Sequence, residues 1–202
     1  MSKTKNKPTY KMSVSPINKW KYFLETRKDG TIEELRDYIN GVFVTNPYFE
    51  RGLKYEEEVY AGKHGKVSEL VKDMEKQQWH SRIIEFEDFN IRLAGQSDAI
   101  DRENLRLIDI KRVDWFKKTK YDYSFQHTLY LYLNPDIKDF YYVVVAGKNN
   151  KITGEHIIHK KRPSDEELEK EVMDTITGFI AFLKENDLWE LYKEKQQYQY
   201  KY

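Results

Sequence analysis

The chain has 202 residues, with 35 lysines plus arginines against 34 aspartates plus glutamates, and a net charge of +1. That balance excludes coating nucleic acid by bulk charge and leaves only local basic patches for such contact. An aromatic share of 15% excludes a disordered chain, and the absence of cysteine excludes disulfides, thiolate zinc sites, cysteine-ligated iron–sulfur clusters and cysteine nucleophiles.

Residues 1–21 carry six lysines and no acid. They predict a basic flexible arm over residues 1–12, with order from about Ser13. No apolar signal region follows the N-terminal lysines, and the longest apolar stretch, Phe140 to Gly147, is far below the roughly 18 residues of a membrane span. A soluble cytoplasmic protein is expected. Ser15-Pro16 reads as N-cap and first helical position of a short helix through Leu24. Thr31-Ile32-Glu33-Glu34 is a capping box, with Ile32, Leu35, Ile39, Val42 and Phe43 on the apolar face behind it. Pro47 breaks the chain, and the charged segment Lys54 to Tyr60 reads as helix. Val67, Leu70, Val71, Met74 and Trp79 repeat at helical spacing and predict a further helix.

The period then changes. Ile83 to Leu93 alternates and predicts a strand, extended through Gly95 to Ile100. Asp101 to Asn104 is a polar turn, and Leu105 to Ile110 another strand. Tyr121 to Leu133 predicts a helix ended by Pro135. Phe140 to Ala146 is a strand buried on both faces, and Ile152 to His159 is its hairpin partner. Ser164 to Glu167 is a second capping box, opening a long amphipathic helix from Leu168 to Leu183. The elements predict one α/β domain over residues 13–195, a small mixed sheet flanked by helices, and a polar tail over 196–202.

Asp109-Ile110-Lys111 closes the strand from Leu105, and Asp98 lies near the end of the strand before it. Adjacent antiparallel strands can bring Asp98 and Asp109 together, and alternation places Asp109 and Lys111 on one face with Ile110 turned to the core. Two close carboxylates repel, and a hard divalent cation such as Mg²⁺ relieves that repulsion. A lysine beside the ion can hold or deprotonate an attacking water. An acid-x-Lys triplet alone is no signal in so charged a chain; Asp136-Ile137-Lys138 is a decoy. The setting distinguishes Asp109-Ile110-Lys111: a strand end, with Gly95-Gln96-Ser97-Asp98 one strand earlier. Gln126 and Tyr130, four apart on the next helix, share a face. Upstream, Gly52 precedes Glu56, Glu57 and Glu58.

The serial order G-x-x-x-E, G-x-x-D, D-x-K, Q-x-x-x-Y resembles the PD-(D/E)XK nuclease superfamily, in its RecB-like exonuclease branch, over roughly residues 13–145. The resemblance implies a restriction-endonuclease-like core and Mg²⁺- or Mn²⁺-dependent hydrolysis of DNA, with exonuclease the expected mode, in phage or bacterial recombination, replication or repair. It implies metal ligation by Asp98, Asp109, Glu56 and the Ile110 carbonyl, and Lys111 as the catalytic lysine. Gln126 and Tyr130 would line the active site or the DNA path. Glu56 stands where many members have histidine, and Glu57 is a close competitor. The cysteines that clamp an iron–sulfur cluster in several members are absent.

Basic residues follow the motif. Arg112, Lys117, Lys118 and Lys120, interleaved with Trp115 and Phe116, suit DNA with phosphate pairing and base stacking, as does the run His159 to Arg162. A single-strand-binding or recombination protein is a candidate partner. His156 and His159 face opposite ways on a strand and do not share a metal. Two rival readings remain: a non-catalytic DNA-binding or accessory subunit that keeps the fold, and a structural protein whose motifs are accidental.

Overall fold

The computed structural model describes residues 7–26, 31–42, 47–148 and 151–197. In chain order it runs β1 (Thr9–Ser13), α1 (Val14–Thr26), α2 (Thr31–Ile39), α3 (Pro47–Tyr60), α4 (Gly65–Val71), β2 (Glu75–Glu85), β3 (Asn90–Asp101), β4 (Arg106–Val113), α5 (Lys118–Asp122), α6 (Gln126–Leu133), β5 (Asp139–Ala146), β6 (Gly154–Lys161), α7 (Asp165–Glu185) and α8 (Trp189–Gln196).

A strand has two hydrogen-bonding edges, and the use of β3's edges shapes the molecule. β2 runs antiparallel along one edge, from Glu75 opposite Ile100 to Glu85 opposite Asn90. The other edge is shared. β1 pairs parallel with Asn90–Ala94, and β4 pairs antiparallel with Ala99–Asp101. Gly95 to Asp98 therefore face a fork between β1 and β4. β5 continues the sheet parallel to β4, and β6 closes it antiparallel to β5. This mixed, helix-flanked sheet is the α/β architecture read from the sequence.

Two apolar layers cover the sheet. The larger gathers Ile17 and Trp20 of α1, Leu129 and Leu133 of α6, and Val172, Ile176, Phe179 and Leu183 of α7 over Ile91, Leu93, Leu107, Phe140 and Tyr142. The smaller sets Tyr55 and Val59 of α3 with Val67 and Val71 of α4 over Ala99, Ile108, Ile110, Val143 and Val145. Ser164 caps α7 as expected: its side chain accepts from the Glu167 N–H, and Glu167 reaches back to the Ser164 N–H.

Several elements differ from the sequence reading. Order begins before Ser13, because Thr9–Ser13 is a sheet strand and the Tyr192 hydroxyl donates to the Lys11 carbonyl (2.7 Å). At the other end Gln197 bridges Tyr10, so part of the expected arm pairs with the start of the expected tail. Residues 1–6 and 198–202 lie outside the described residues, as does Phe43. Ser15 and Pro16 sit inside the first turn of α1, which starts at Val14. Pro47 opens α3 rather than ending anything, and Gly52 lies within it. Trp79 belongs to β2, not to a helix, and Val42 is exposed. The expected strand Ile83–Leu93 spans a corner at residues 86–89 between β2 and β3, and the expected helix Tyr121–Leu133 is two helices. α8 had no counterpart in the reading.

Candidate active site

The fork beside β3 is where the chemistry-bearing side chains meet. The β3–β4 ladder runs through Ala99 opposite Ile108 and stops there. One step further, Asp98 and Asp109 would be the next pair. Instead the strands part, and Asp98 Oδ2 accepts the Ile110 N–H at 2.6 Å. A side chain thus replaces a backbone acceptor, and the two carboxylates are held at the point of divergence. Ile91 and Leu93 join the larger core, and so does Ile100, on the other parity. The facing of β3 therefore changes phase between Leu93 and Ile100. Opposite this stretch Gln77 sits at φ +52°, a left-handed conformation that a non-glycine residue adopts at a cost in free energy.

On β4, Leu107 and Asp109 face the larger layer while Ile108 and Ile110 pack into the smaller one. Asp109 is 3% exposed. Its Oδ1 accepts from Lys111 Nζ and from Gln126 Nε2, each at 2.8 Å. Lys111 Nζ is also 2.8 Å from Oδ2, so the ammonium sits against both oxygens of the buried carboxylate.

Tyr130 packs its ring over Gly95 and donates to the Gln96 carbonyl (2.6 Å). A Cβ at Gly95 would lie 2.8 Å from Val14 Cγ2 and 2.9 Å from the Tyr130 ring, so only glycine admits the ring this close.

From the other layer, α3 supplies Glu56. The Tyr60 hydroxyl lies 2.6 Å from Glu56 Oε1 and 2.8 Å from the Asp98 carbonyl. Its single proton can serve one of these acceptors at a time. Gln77 Nε2 donates to the same Glu56 oxygen at 3.3 Å. Glu57 is exposed, and Glu58 is paired with His64 (2.9 Å).

The electrostatics follow from four charges in little space. Burial, Asp109 and Glu56 push the Asp98 carboxyl up to about 8, against the pull of Lys111. Burial also raises Asp109, although Lys111 and Gln126 favour its charged form. For Lys111, burial opposes the charge, but Asp109 and Asp98 outweigh it and hold the ammonium protonated. Burial raises Tyr60 and Tyr130 above the usual phenol range, helped at Tyr60 by its bond to Glu56 and at Tyr130 by Asp109.

These residues fit a hard divalent cation. They offer two buried carboxylates that repel, with the single positive charge of Lys111 to offset them. Among the described residues, however, no three His, Asp or Glu side chains are gathered closely enough to enclose an ion. Glu56 stands one hydroxyl away from the aspartates rather than beside them. Mg²⁺ commonly takes only one or two carboxylates and keeps water for the rest.

The other expected residues are placed unequally. Gln126 and Tyr130 are at the site. Lys120 lines a cleft of about 450 Å³ with Lys111, Gln126 and Tyr142, whereas Lys117 and Lys118 are exposed outside that lining. Arg112 is turned to the opposite face of the sheet. Its Nη1 donates to the carbonyls of Val113, Val145 and Gly147 at 2.8, 3.2 and 2.7 Å, where it ties strand ends together. Arg162 is likewise engaged with the Leu131 carbonyl and Asp165. Trp115 is exposed and lies under Lys148. His156 stacks on Phe116 and His159 on Tyr141. Among the described residues, no helix is long and apolar enough to cross a membrane. Tyr60, Gln77 and Gln96 were not singled out in the sequence; only Tyr60 left a signal there, four residues after Glu56 on one helical face.

No curated protein matches this sequence. Among solved structures, the fold is similar to a phage-related exonuclease from Haemophilus somnus 129PT, with a TM-score of 0.55 and 16% identity over 91% of this chain and 94% of that one. It is similar also to an alkaline exonuclease from Laribacter hongkongensis, with a TM-score of 0.57 and 15% identity over 91% and 92%. The same enzyme in complex with dAMP aligns at 0.54, with 15% identity over 91% and 92%. The model of the PD-(D/E)XK nuclease superfamily matches residues 22–187, from within α1 through α7, a span that includes Asp98, Asp109 and Lys111. The chain belongs to the PD-(D/E)XK nuclease superfamily.

Proposed function

We propose that this chain is a metal-dependent deoxyribonuclease, acting as an exonuclease on phosphodiester bonds in bacterial or phage DNA recombination, replication or repair, in the cytoplasm. The observation that carries the reading is the meeting of Asp98, Asp109 and Lys111 at one strand divergence, with two repelling carboxylates buried against one ammonium. Nothing in packing or secondary structure requires two repelling carboxylates there, and their repulsion costs stability. Such groups cluster at functional sites.

Asp98 and Asp109 would hold Mg²⁺ or Mn²⁺, with the Ile110 carbonyl, and Glu56 would contribute from its place beside Tyr60. The bound ion would supply a lowered water pKa and charge neutralisation at the phosphate. Lys111 holds the attacking water by hydrogen bonding and offsets the charge that grows on the phosphoryl oxygens. Gln126 fixes Asp109, and Tyr130 fixes the Gln96 backbone, so the carboxylates need little rearrangement when substrate arrives. Lys120 is suited to a backbone phosphate at the cleft mouth. The exonuclease mode draws support from the two exonucleases of similar fold.

The test is hydrolysis of end-labelled single- and double-stranded DNA. Cleavage should require Mg²⁺ or Mn²⁺, stop with EDTA, and disappear in folded Asp109→Asn and Lys111→Ala. Metal-independent DNA binding without cleavage of any DNA would favour the accessory subunit instead.

A further inference from the structure

Trp79 has no role in the site described above, and its placement is unusual. It lies on β2, directly opposite Gln96, with 65% of its surface exposed. Cross-strand partners project to the same side of a sheet. Trp79 and Gln96 accordingly line one cleft of about 560 Å³ together with Tyr130 and Lys11. Gln96 precedes Asp98 by two residues, or about 7 Å of strand. The indole is thus one strand spacing aside from Asp98, two from Asp109, and about two residues along.

Two further observations say what this cleft would take. Lys11 Nζ lies over one face of the indole, 5.5 Å from its centroid, so a base would stack on the other face of this exposed ring with a cation at hand for its phosphate. The acid in the lining, Glu34, is already paired with Lys19 at 2.6 Å. Ser15 and Lys19 line both this cleft and the one that holds Lys111, Lys120 and Gln126. The two clefts therefore adjoin, and a chain of phosphates leaving Lys111 has a path toward Lys11.

We propose that Trp79 is a stacking platform for an unpaired nucleobase of the substrate strand, close to the bond that is cut. The inference rests on the nuclease reading and adds to it the single-stranded character of the segment held between Lys111 and Trp79. A base within a duplex already has both faces stacked, whereas a splayed base presents a face to an exposed ring. Stacking on an aromatic ring tolerates any base, so the platform would hold a strand without reading its sequence.

The experiment uses the full chain carrying Asp109→Asn, in EDTA, so that binding is read without cleavage. Indole fluorescence and affinity are measured with a short oligothymidylate and with the same length of abasic strand. Oligothymidylate should quench the fluorescence. Adding Trp79→Ala should weaken its binding by on the order of tenfold or more and abolish that part of the quench, while Trp79→Phe keeps most of the affinity. The abasic strand should bind with equal affinity whether or not the chain carries Trp79→Ala. Equal affinity of the Trp79→Ala and parent chains for oligothymidylate would overturn the platform. So would an equal loss on the abasic strand, which would assign Trp79 to backbone contact or to the fold. A chain that self-associates through Trp79 while binding oligothymidylate unchanged would assign the surface to protein. Metal-dependent cleavage by the unsubstituted chain, measured in parallel, reports on the nuclease reading separately.

Discussion

In metal-free protein the carboxylate pair should be a source of instability, and Asp98→Asn measures it. Burial and Asp109 push Asp98 up to about 8 from an ordinary value of 3.8. Between those values the folded chain keeps a proton that the unfolded chain has released. Stability therefore falls as pH rises from about 4 to about 8 and levels off above that. A shift of this size sets a ceiling of about 6 kcal/mol. The pair titrates together and Lys111 leans on it, which leaves about 2 kcal/mol to Asp98 itself. Asparagine keeps the shape and can still accept the Ile110 N–H. In EDTA at pH 8.5, Asp98→Asn should melt about 4–8 °C above the unsubstituted chain, and the gap should narrow as pH falls toward 4. Mg²⁺ should raise the melting temperature of the unsubstituted chain at pH 8.5 and leave Asp98→Asn nearly unmoved. Thermal scans at three pH values decide the matter. An Asp98→Asn chain that melts at or below the unsubstituted one at pH 8.5 in EDTA refutes the argument that these carboxylates repel.

Among the glutamates of α3, Glu56→Gln should cut metal-dependent DNA hydrolysis on the order of 100-fold, because Glu56 is the one linked through Tyr60 to the Asp98 backbone. Glu57→Gln should change cleavage little; if it is the damaging substitution instead, the helix presents a different face to the substrate than the one described. Tyr60→Phe removes the hydroxyl between Glu56 and Asp98 and should slow cleavage by about tenfold, with circular dichroism unchanged. Gly95→Ala should destabilise the chain by about 1–3 kcal/mol in urea titrations, since its methyl would meet Val14 and the Tyr130 ring.

Much of the fold was legible because amphipathic periods and caps are local. The Ser164 capping box and the stripe from Leu168 to Leu183 needed no knowledge of their neighbours. β1 was not legible, because Thr9–Ser13 is short and follows a lysine-rich run, and its place depends on backbone pairing with Asn90–Ala94. The corner at residues 86–89 was hidden by its own side chains. Phe86 and Phe89 stack at 5.0 Å across the turn, and aromatics at that spacing read as strand interior. Trp79 was drawn into a helix because the apolar spacing of α4 happens to continue past Val71, where the helix ends. Its exposure on β2 shows that the coincidence had nothing to do with burial.

At the site, the same alternation rule served well at one residue and was not applied to its neighbour. It put Asp109 and Lys111 on one face, where a 2.8 Å contact joins them, and it equally required Arg112 to face away. Charge similarity made Arg112 look like an extension of the basic patch, yet a guanidinium on the far side of a strand cannot reach substrate held on the near side. The three carbonyls it binds are the reason for its presence. Asp98 shows the opposite limit. Strict alternation from Leu93 would have turned it away from the larger layer, and only the phase change opposite Gln77, where β1 gives way to β4, brings it to Asp109. That change belongs to the sheet's topology, since it happens where β3 exchanges one edge partner for another. A site built at such an exchange is free to bring two carboxylates together at the parting of the strands, because no ladder hydrogen bond there has to be broken to do so.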